Sequence, residues 1–295
     1  MAHLEADGPK APHPSAKRRL AIECWSTTPP DEIEMDFDTR SKMGEWFEDE
    51  SFWREMYPFI FSEERFRLAE EQIEKVLALV GYKEGAVLDL CCGPGRHSLA
   101  LARRGIRVTA VDRSEFLLSK AEAEAAKLGL EIEFVSGDMR QFLRSNHFSL
   151  VLNMLTSFGY FDDKEDDLKV LRNAYQSLQA GGSLLIDIFG KEPLAMNYQA
   201  TRSTQVADRA LLIERNEICE DWTRCRNEWV LVKGATARRF NFQTRLYSGQ
   251  EMKDMLRRAG FEEVAVFGDL DGNEYGVNAS RLIAIGRKSH SQNGA

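Results

Sequence analysis

The chain has 295 residues, 43% hydrophobic and 29% charged, with a formal net charge of −8 at pH 7. It is long enough to bury a core without metal or disulfide staples, and its acidic balance removes the usual attraction to nucleic-acid phosphates. Five cysteines (Cys24, Cys91, Cys92, Cys219, Cys225) contain no C-x-x-C pair, so they read as reduced thiols in a cytoplasmic protein, with no zinc or other metal site.

Residues 1–30 mix Pro, Ala, Lys and acids without periodicity and read as a disordered tail, with no charged-then-apolar leader. Residues 31–84 form an expected N-terminal cap. An acidic stretch carries Phe37, Trp46, Phe47, Phe52 and Trp53, and an amphipathic helix follows over 63–80 with Phe66, Ile73, Val76 and Leu77 on one face. The aromatic stretch has two readings, docking over a binding cleft or packing into a core.

From 85 to 190 strand and helix alternate. Apolar runs at 86–90, 108–111, 132–135, 148–153 and 183–188 flank helical stretches at 98–104, 114–128 and 163–179, with Ser114 as an N-cap and Gly181-Gly182 as a stop. Such alternation implies a parallel sheet covered on both faces, with any ligand along its C-terminal edge. Residues 191–247 break the rhythm. Segments at 210–218, 228–233 and 238–246 read as an antiparallel hairpin insertion, a lid over substrate. Residues 248–288 return to the sheet domain, with a helix at 248–259 and strands at 264–267 and 282–285, and 289–295 form a tail. No apolar run reaches the roughly 18 residues of a membrane span.

The loop after the first strand reads Asp89-Leu-Cys-Cys-Gly93-Pro-Gly95-Arg-His-Ser98. Gly93 and Gly95 let backbone pass close to a ligand. Asp112 ends the second strand at the spacing of a carboxylate that holds ribose hydroxyls, and Asp138 follows the third strand. A nicotinamide site wants G-x-G-x-x-G, and here Ser98 stands at the third place. Asp89 would repel a pyrophosphate but suits the ammonium of an amino acid. The charges therefore favour a cofactor with a cationic amino-acid end and a ribose.

Residues 86–190 resemble a class I S-adenosylmethionine-dependent methyltransferase. Val87-Leu-Asp-Leu-Cys-Cys-Gly-Pro-Gly95 resembles the family's first motif and Val108-Thr-Ala-Val-Asp112 its ribose-binding motif. Ser136-Gly-Asp-Met139 resembles the adenine turn, Asn153-Met-Leu-Thr-Ser157 the fourth motif, and 181–187 the approach to the fifth strand. Residues 247–288 are similar to bacterial small-molecule methyltransferases. One departure stands out: the family's first loop glycine is Cys91 here. The resemblance implies an α/β fold, a Rossmann-like, mostly parallel seven-stranded sheet with helices on both faces. It implies S-adenosyl-L-methionine as cofactor, with Asp89, Gly93 and Gly95 at the methionine end and Asp112 on the ribose. Arg113 would lie beside the adenine, Asp138 would accept from its amino group near Met139, and Asn153 and Met154 would lie below the sulfonium.

Methyl transfer from a sulfonium is an in-line displacement, so much of the catalysis is positioning, and a base is needed only for a protonated acceptor. Tyr160, in the loop after the fourth strand, and Asp187, ending the fifth, are the candidate catalytic groups. His97 reads as a packed or helix-start residue. Phe158, Phe161 and Arg245 are candidate substrate contacts, with Arg238 and Arg239 reading as exposed strand residues. The place after the fourth strand lacks the Asn/Asp-Pro-Pro-aromatic pattern of nucleobase amino methylation, and no cysteine follows a proline. The expected reaction is N- or O-methylation of a small molecule, with nucleic acid disfavoured, no membrane partner and a homodimer compatible. The alternatives are an RNA or protein methyltransferase and a non-catalytic cofactor-binding subunit.

Overall fold

The computed structural model describes residues 45–206 and 209–290. The expected N-terminal tail, most of the acidic stretch before Glu45 and the C-terminal residues 291–295 lie outside the described residues. A 3-10 turn at Trp46–Glu48 leads into α1 (Glu50–Ile60) and α2 (Glu63–Val80). The core follows as β1 (Ala86–Leu90), α3 (Arg96–Arg103), β2 (Val108–Asp112), α4 (Glu115–Leu128), β3 (Glu133–Ser136), β4 (Phe148–Asn153), α5 (Lys164–Ser177) and β5 (Leu178–Ile188). After α6 (Lys191–Asn197) come β6 (Thr201–Gln205), β7 (Leu211–Cys219), β8 (Arg224–Lys233) and β9 (Thr236–Arg245). The chain ends on α7 (Gly249–Ala259), β10 (Glu263–Phe267) and β11 (Leu282–Arg287).

The large sheet has seven strands in the order β10-β11-β5-β4-β1-β2-β3, with β11 alone running against both its neighbours. This is the expected Rossmann-like arrangement. Strand order reverses between β1 and β4, so loops leaving their C-terminal ends part there and open a crevice. All five β1 residues are buried, as a central strand covered on both faces requires. Alternation along β5 divides the core: Leu184, Ile186 and Ile188 pack with α5 and α7, while Leu185 faces the α2–α4 side.

The insertion is a four-stranded antiparallel sheet, β6-β7-β8-β9. Its strand β6 has five exposed polar residues and gives no apolar alternation to read. Helix α1 covers it, with Phe52 and Met56 buried against Ala210, Leu212, Leu231 and Phe240. The spacing of Phe52, Met56 and Phe59 is helical, but Pro58 inside α1 masks it. Pro58 has no amide N–H to give the carbonyl four residues before it, and the helix ends two residues later. The aromatic stretch thus packs a small core of its own rather than lying free. Expected helix 163–179 stops at Ser177, because β5 begins at Leu178 beside Phe148.

One buried carboxylate joins these parts. Asp167 of α5 has no exposed surface, and Tyr247 donates its hydroxyl to Asp167 Oδ2 at 2.7 Å. Arg245 Nε stands 3.3 Å from the same oxygen, an ion-pair approach without hydrogen-bond alignment. Burial pushes the Asp167 carboxyl up to about 6, against the pull of Tyr247 and Arg245. A carboxyl raised in the fold costs stability as pH rises from its unfolded value near 4 through 6, and that cost is complete above it. The Tyr247 donor offsets most where Asp167 is ionised. Tyr247→Phe is therefore expected to destabilise by about 1–3 kcal/mol at pH 8 and by less at pH 4.5, as read by urea unfolding at both pH values. An equal loss at both would remove the carboxylate from the explanation.

Candidate active site

The acids and loops singled out in the sequence converge on the C-terminal edge of β1, β2, β3 and β4. Between β1 and α3 the chain turns through Cys91 (φ 64°), Gly93 (φ 56°) and Gly95 (φ 78°). Cys91 adopts the left-handed backbone that glycine takes readily and other residues rarely. This accounts for glycine being the family residue there. Its side chain lies against Met139, Sγ to Sδ 3.4 Å, and burial pushes the thiol up, so it is unionised.

Asp112 closes the turn from the β2 side. Its Oδ2 accepts from the Gly93 amide at 2.7 Å and its Oδ1 from the Ser114 amide at 2.9 Å. Burial pushes its carboxyl up to about 6, while those amides pull the other way. A carboxylate offers about four lone-pair directions, so two amides leave room for ligand hydroxyls. Asp89, 1% exposed, accepts from the Ser98 hydroxyl at 2.5 Å and is likewise pushed up to about 6 by burial. Asn153 donates to the Leu90 carbonyl at 3.2 Å, but its own Oδ1 is buried with no donor. A buried acceptor without a donor is rare in folded proteins and marks a place for a ligand hydrogen. The residues present therefore fit a cofactor with a ribose and an ammonium. Met139 and Met154 are buried beside them.

Asp138 is differently placed. Arg140 grips it from Nη2 at 2.6 Å and from its amide at 2.7 Å, and Arg113 Nη1 adds a contact at 2.8 Å. Burial works to raise this carboxyl, but the hydrogen bonds and charges of Arg140 and Arg113 hold it below the usual range. The two arginines in turn bind acids that sequence reading did not single out. Glu45 pairs with Arg140 at 2.5 Å, and Glu48 pairs with Arg113. The only signal for them was the acidic, aromatic character of the stretch.

The loop after β4 places its three aromatics unequally. Phe158 and Phe161 are each 1% exposed, inside the core, where Phe158 meets Tyr247 and Arg140 lies 4.3 Å over the Phe161 ring. The loop turns these two side chains, expected as substrate contacts, inward. Tyr160 lies between Trp46, ring centroids 4.7 Å apart, and Phe47, stacked at 6.0 Å. Burial pushes its phenol up, with the Asp112 carboxylate adding to the effect, so it keeps its proton. The turn itself needs Gly159 (φ 92°), where a Cβ would stand 2.9 Å from the Arg245 carbonyl.

Arg245 is held rather than presented. Its amide donates to the Gly159 carbonyl at 2.6 Å, its Nη2 to the Asp162 carbonyl at 2.7 Å, and its guanidinium approaches Asp167. Asp187 is 3% exposed and also engaged, Oδ1 with Arg281 Nε at 2.5 Å and Oδ2 with the Leu155 amide at 3.3 Å. His97 meets Gln72 at 2.9 Å, and burial holds its imidazole down to about 3, neutral at physiological pH.

Residues 87–182 match the family model of the methyltransferase domain. The cypemycin N-terminal methyltransferase of a Streptomyces species is 30% identical over 213 residues, covering 68% of this chain and 81% of that one. Among solved structures, the CcbJ methyltransferase of Streptomyces caelestis is similar with a TM-score of 0.66 at 21% identity, over 76% of this chain and 90% of that one. A sugar N-methyltransferase from a Streptoalloteichus species is similar with a TM-score of 0.61 at 19% identity, over 81% and 92%. With the sequence relation to known methyltransferases and the strand order both in agreement, the chain belongs to the class I S-adenosylmethionine-dependent methyltransferases.

Proposed function

We propose that the chain methylates a nitrogen of a small-molecule amine, with S-adenosylmethionine as donor. The observation that carries the choice of nitrogen is that the three candidate bases near the acceptor side are engaged or weak. Asp187 is paired with Arg281, the Tyr160 phenol is pushed up by burial and keeps its proton, and burial holds the His97 imidazole down to about 3, a weak base. A hydroxyl must lose its proton to attack, whereas a neutral amine already has its lone pair and needs only to be oriented. Support comes also from the relatives, two of which are named for nitrogen acceptors.

The donor supplies a methyl group made electrophilic by a sulfonium. In this reading Asp112 accepts from ribose hydroxyls, while Asp89 and Asn153 Oδ1 receive the ammonium beside the Gly93–Gly95 turn. Met139 and Met154 form the apolar floor. Asp138, saturated by Arg113 and Arg140, and Arg113, paired also with Glu48, shape the adenine end without offering a free acceptor. Tyr160 keeps its proton and orients the acceptor from the roof. Asp187 fixes Leu155 and Arg281 rather than moving a proton. The segment 46–60 and the four-stranded insertion together act as a lid that excludes water, which strengthens every charge interaction beneath it.

Titration calorimetry with S-adenosylhomocysteine tests the cofactor side. Asp112→Asn is expected to weaken binding by tenfold or more, since a hydrogen bond to a charged group contributes about 1.5–3 kcal/mol. Wild-type affinity is expected to fall as pH drops through about 6, where Asp112 gains its proton. Unchanged affinity in the variant would refute the ribose role. A radiolabelled-methyl assay over amine and phenol panels tests the acceptor. Label on amines is expected, with Tyr160→Phe lowering kcat by less than about tenfold. A loss of the 10²–10⁴-fold typical of a removed general base would restore Tyr160 as base and favour oxygen.

A further inference from the structure

Arg96 opens α3 directly after Gly95, and its side chain is buried, the residue being 8% exposed. Among the described residues its guanidinium makes one hydrogen bond, from Nη1 to the Arg65 carbonyl at 3.3 Å, and no ion pair. A buried arginine normally has a carboxylate partner, because a lone buried charge is costly. The charged groups that bear on it are Arg65 and Arg281, which repel it, and Asp89 and Asp187, which attract it. Both acids are already engaged, Asp89 with the Ser98 hydroxyl and Asp187 with Arg281. Asp187 is neutralised by Arg281, and Asp89 attracts Arg96 without pairing with it, so most donors of the Arg96 guanidinium have no partner among the described residues. Burial and the like charge of Arg65 lower the Arg96 guanidinium only to about 10, so it stays charged at physiological pH.

Arg96 also lines a groove of about 740 Å³ between α1, α2, α3 and α4. Acids stand on its walls at Glu63, Glu70 and Glu124, yet none pairs with Arg96, and Glu70 is held by Arg103 and Arg104. Among the described residues no side chain forms an ion pair with Arg96.

We propose that Arg96 is a carboxylate subsite beside the Gly93–Gly95 turn, its guanidinium completed by a ligand carboxylate. The inference rests on the S-adenosylmethionine reading. The carboxylate has two sources, the amino-acid end of the cofactor or an acid group on the methyl acceptor. Guanidinium suits either, since its planar fork binds a carboxylate through two parallel hydrogen bonds.

Calorimetry with S-adenosylhomocysteine and with its decarboxylated analogue tests this on wild type, Arg96→Gln and Arg96→Lys. If the cofactor is the source, Arg96→Gln weakens S-adenosylhomocysteine about ten- to a hundredfold and leaves the decarboxylated analogue unchanged. Arg96→Lys, which keeps the charge and the packing stem, is then intermediate. If the acceptor is the source, S-adenosylhomocysteine affinity is unchanged, and acetate raises the unfolding temperature of the S-adenosylhomocysteine-saturated wild type but not of Arg96→Gln. Equal losses for both nucleosides would make Arg96 structural and overturn the inference. So would an S-adenosylhomocysteine affinity and an acetate response that both ignore the substitutions. Failure of the wild type to bind S-adenosylhomocysteine would instead overturn the methyl-donor reading.

Discussion

A carboxylate with no exposed surface organises the loop that follows β4. Asp167 sits on α5 beneath the loop that follows β4, and the chain answers its charge from three directions. Tyr247 donates a hydroxyl, Arg245 brings a guanidinium, and Arg224 contributes charge from β8. Each partner brings a further contact. The Arg245 amide holds the Gly159 carbonyl, while the Arg245 and Arg224 guanidinium groups both donate to the Asp162 carbonyl. The loop is therefore caught at both ends, and Tyr160 has little choice of position. Buried ion pairs are poor sources of net stability, because desolvation offsets much of their attraction. Here the cluster acts by excluding alternatives, since any other loop position would leave Asp167 charged and unpartnered.

The same rule separates two acids that look alike in the sequence. Asp112 and Asp138 each follow a strand of the parallel sheet, and each is partly withdrawn from water. Asp112 meets only backbone amides and is pushed up to about 6 by burial, whereas Asp138 meets two guanidinium groups that hold it down. The first keeps acceptor capacity for a ligand; the second is saturated and serves as the hub of a network from Glu45 and Glu48 to the sheet. What an acid can do at this edge is decided by the company that its loop neighbours bring.

Much of the fold was legible from periodicity. The apolar runs of β1, β2, β4 and β5 and the glycine turn after β1 have local physical causes, so sequence alone carries them. The seven-stranded arrangement and the antiparallel insertion agree with what the alternation and the family resemblance implied. The failures are of another kind. Strand β6 is polar throughout and is defined only by pairing with β7. Helix α1 is obscured by Pro58, and β5 takes over the end of the expected helix because Leu178 pairs beside β4. For the candidate site, residue identity located the cleft, but side-chain partners decided roles. Arg245 and Asp187 looked available because their counter-charges, Asp167 and Arg281, lie 78 and 94 residues away in the chain.

These partnerships also bear on the chemistry. In the proposed reading the Asp187 carboxylate is held by Arg281 and the Tyr160 phenol keeps its proton, so the cleft favours an acceptor that arrives with a free lone pair. Its means of acceleration would then be geometry: an aromatic cluster of Trp46, Phe47 and Tyr160, on a loop fixed from below by Asp167. Orientation of a reactant in a water-poor site contributes several kcal/mol without any proton transfer. Arg96, buried and without an ion pair among the described residues, would in the proposed reading make a ligand carboxylate part of the finished site rather than a guest in it.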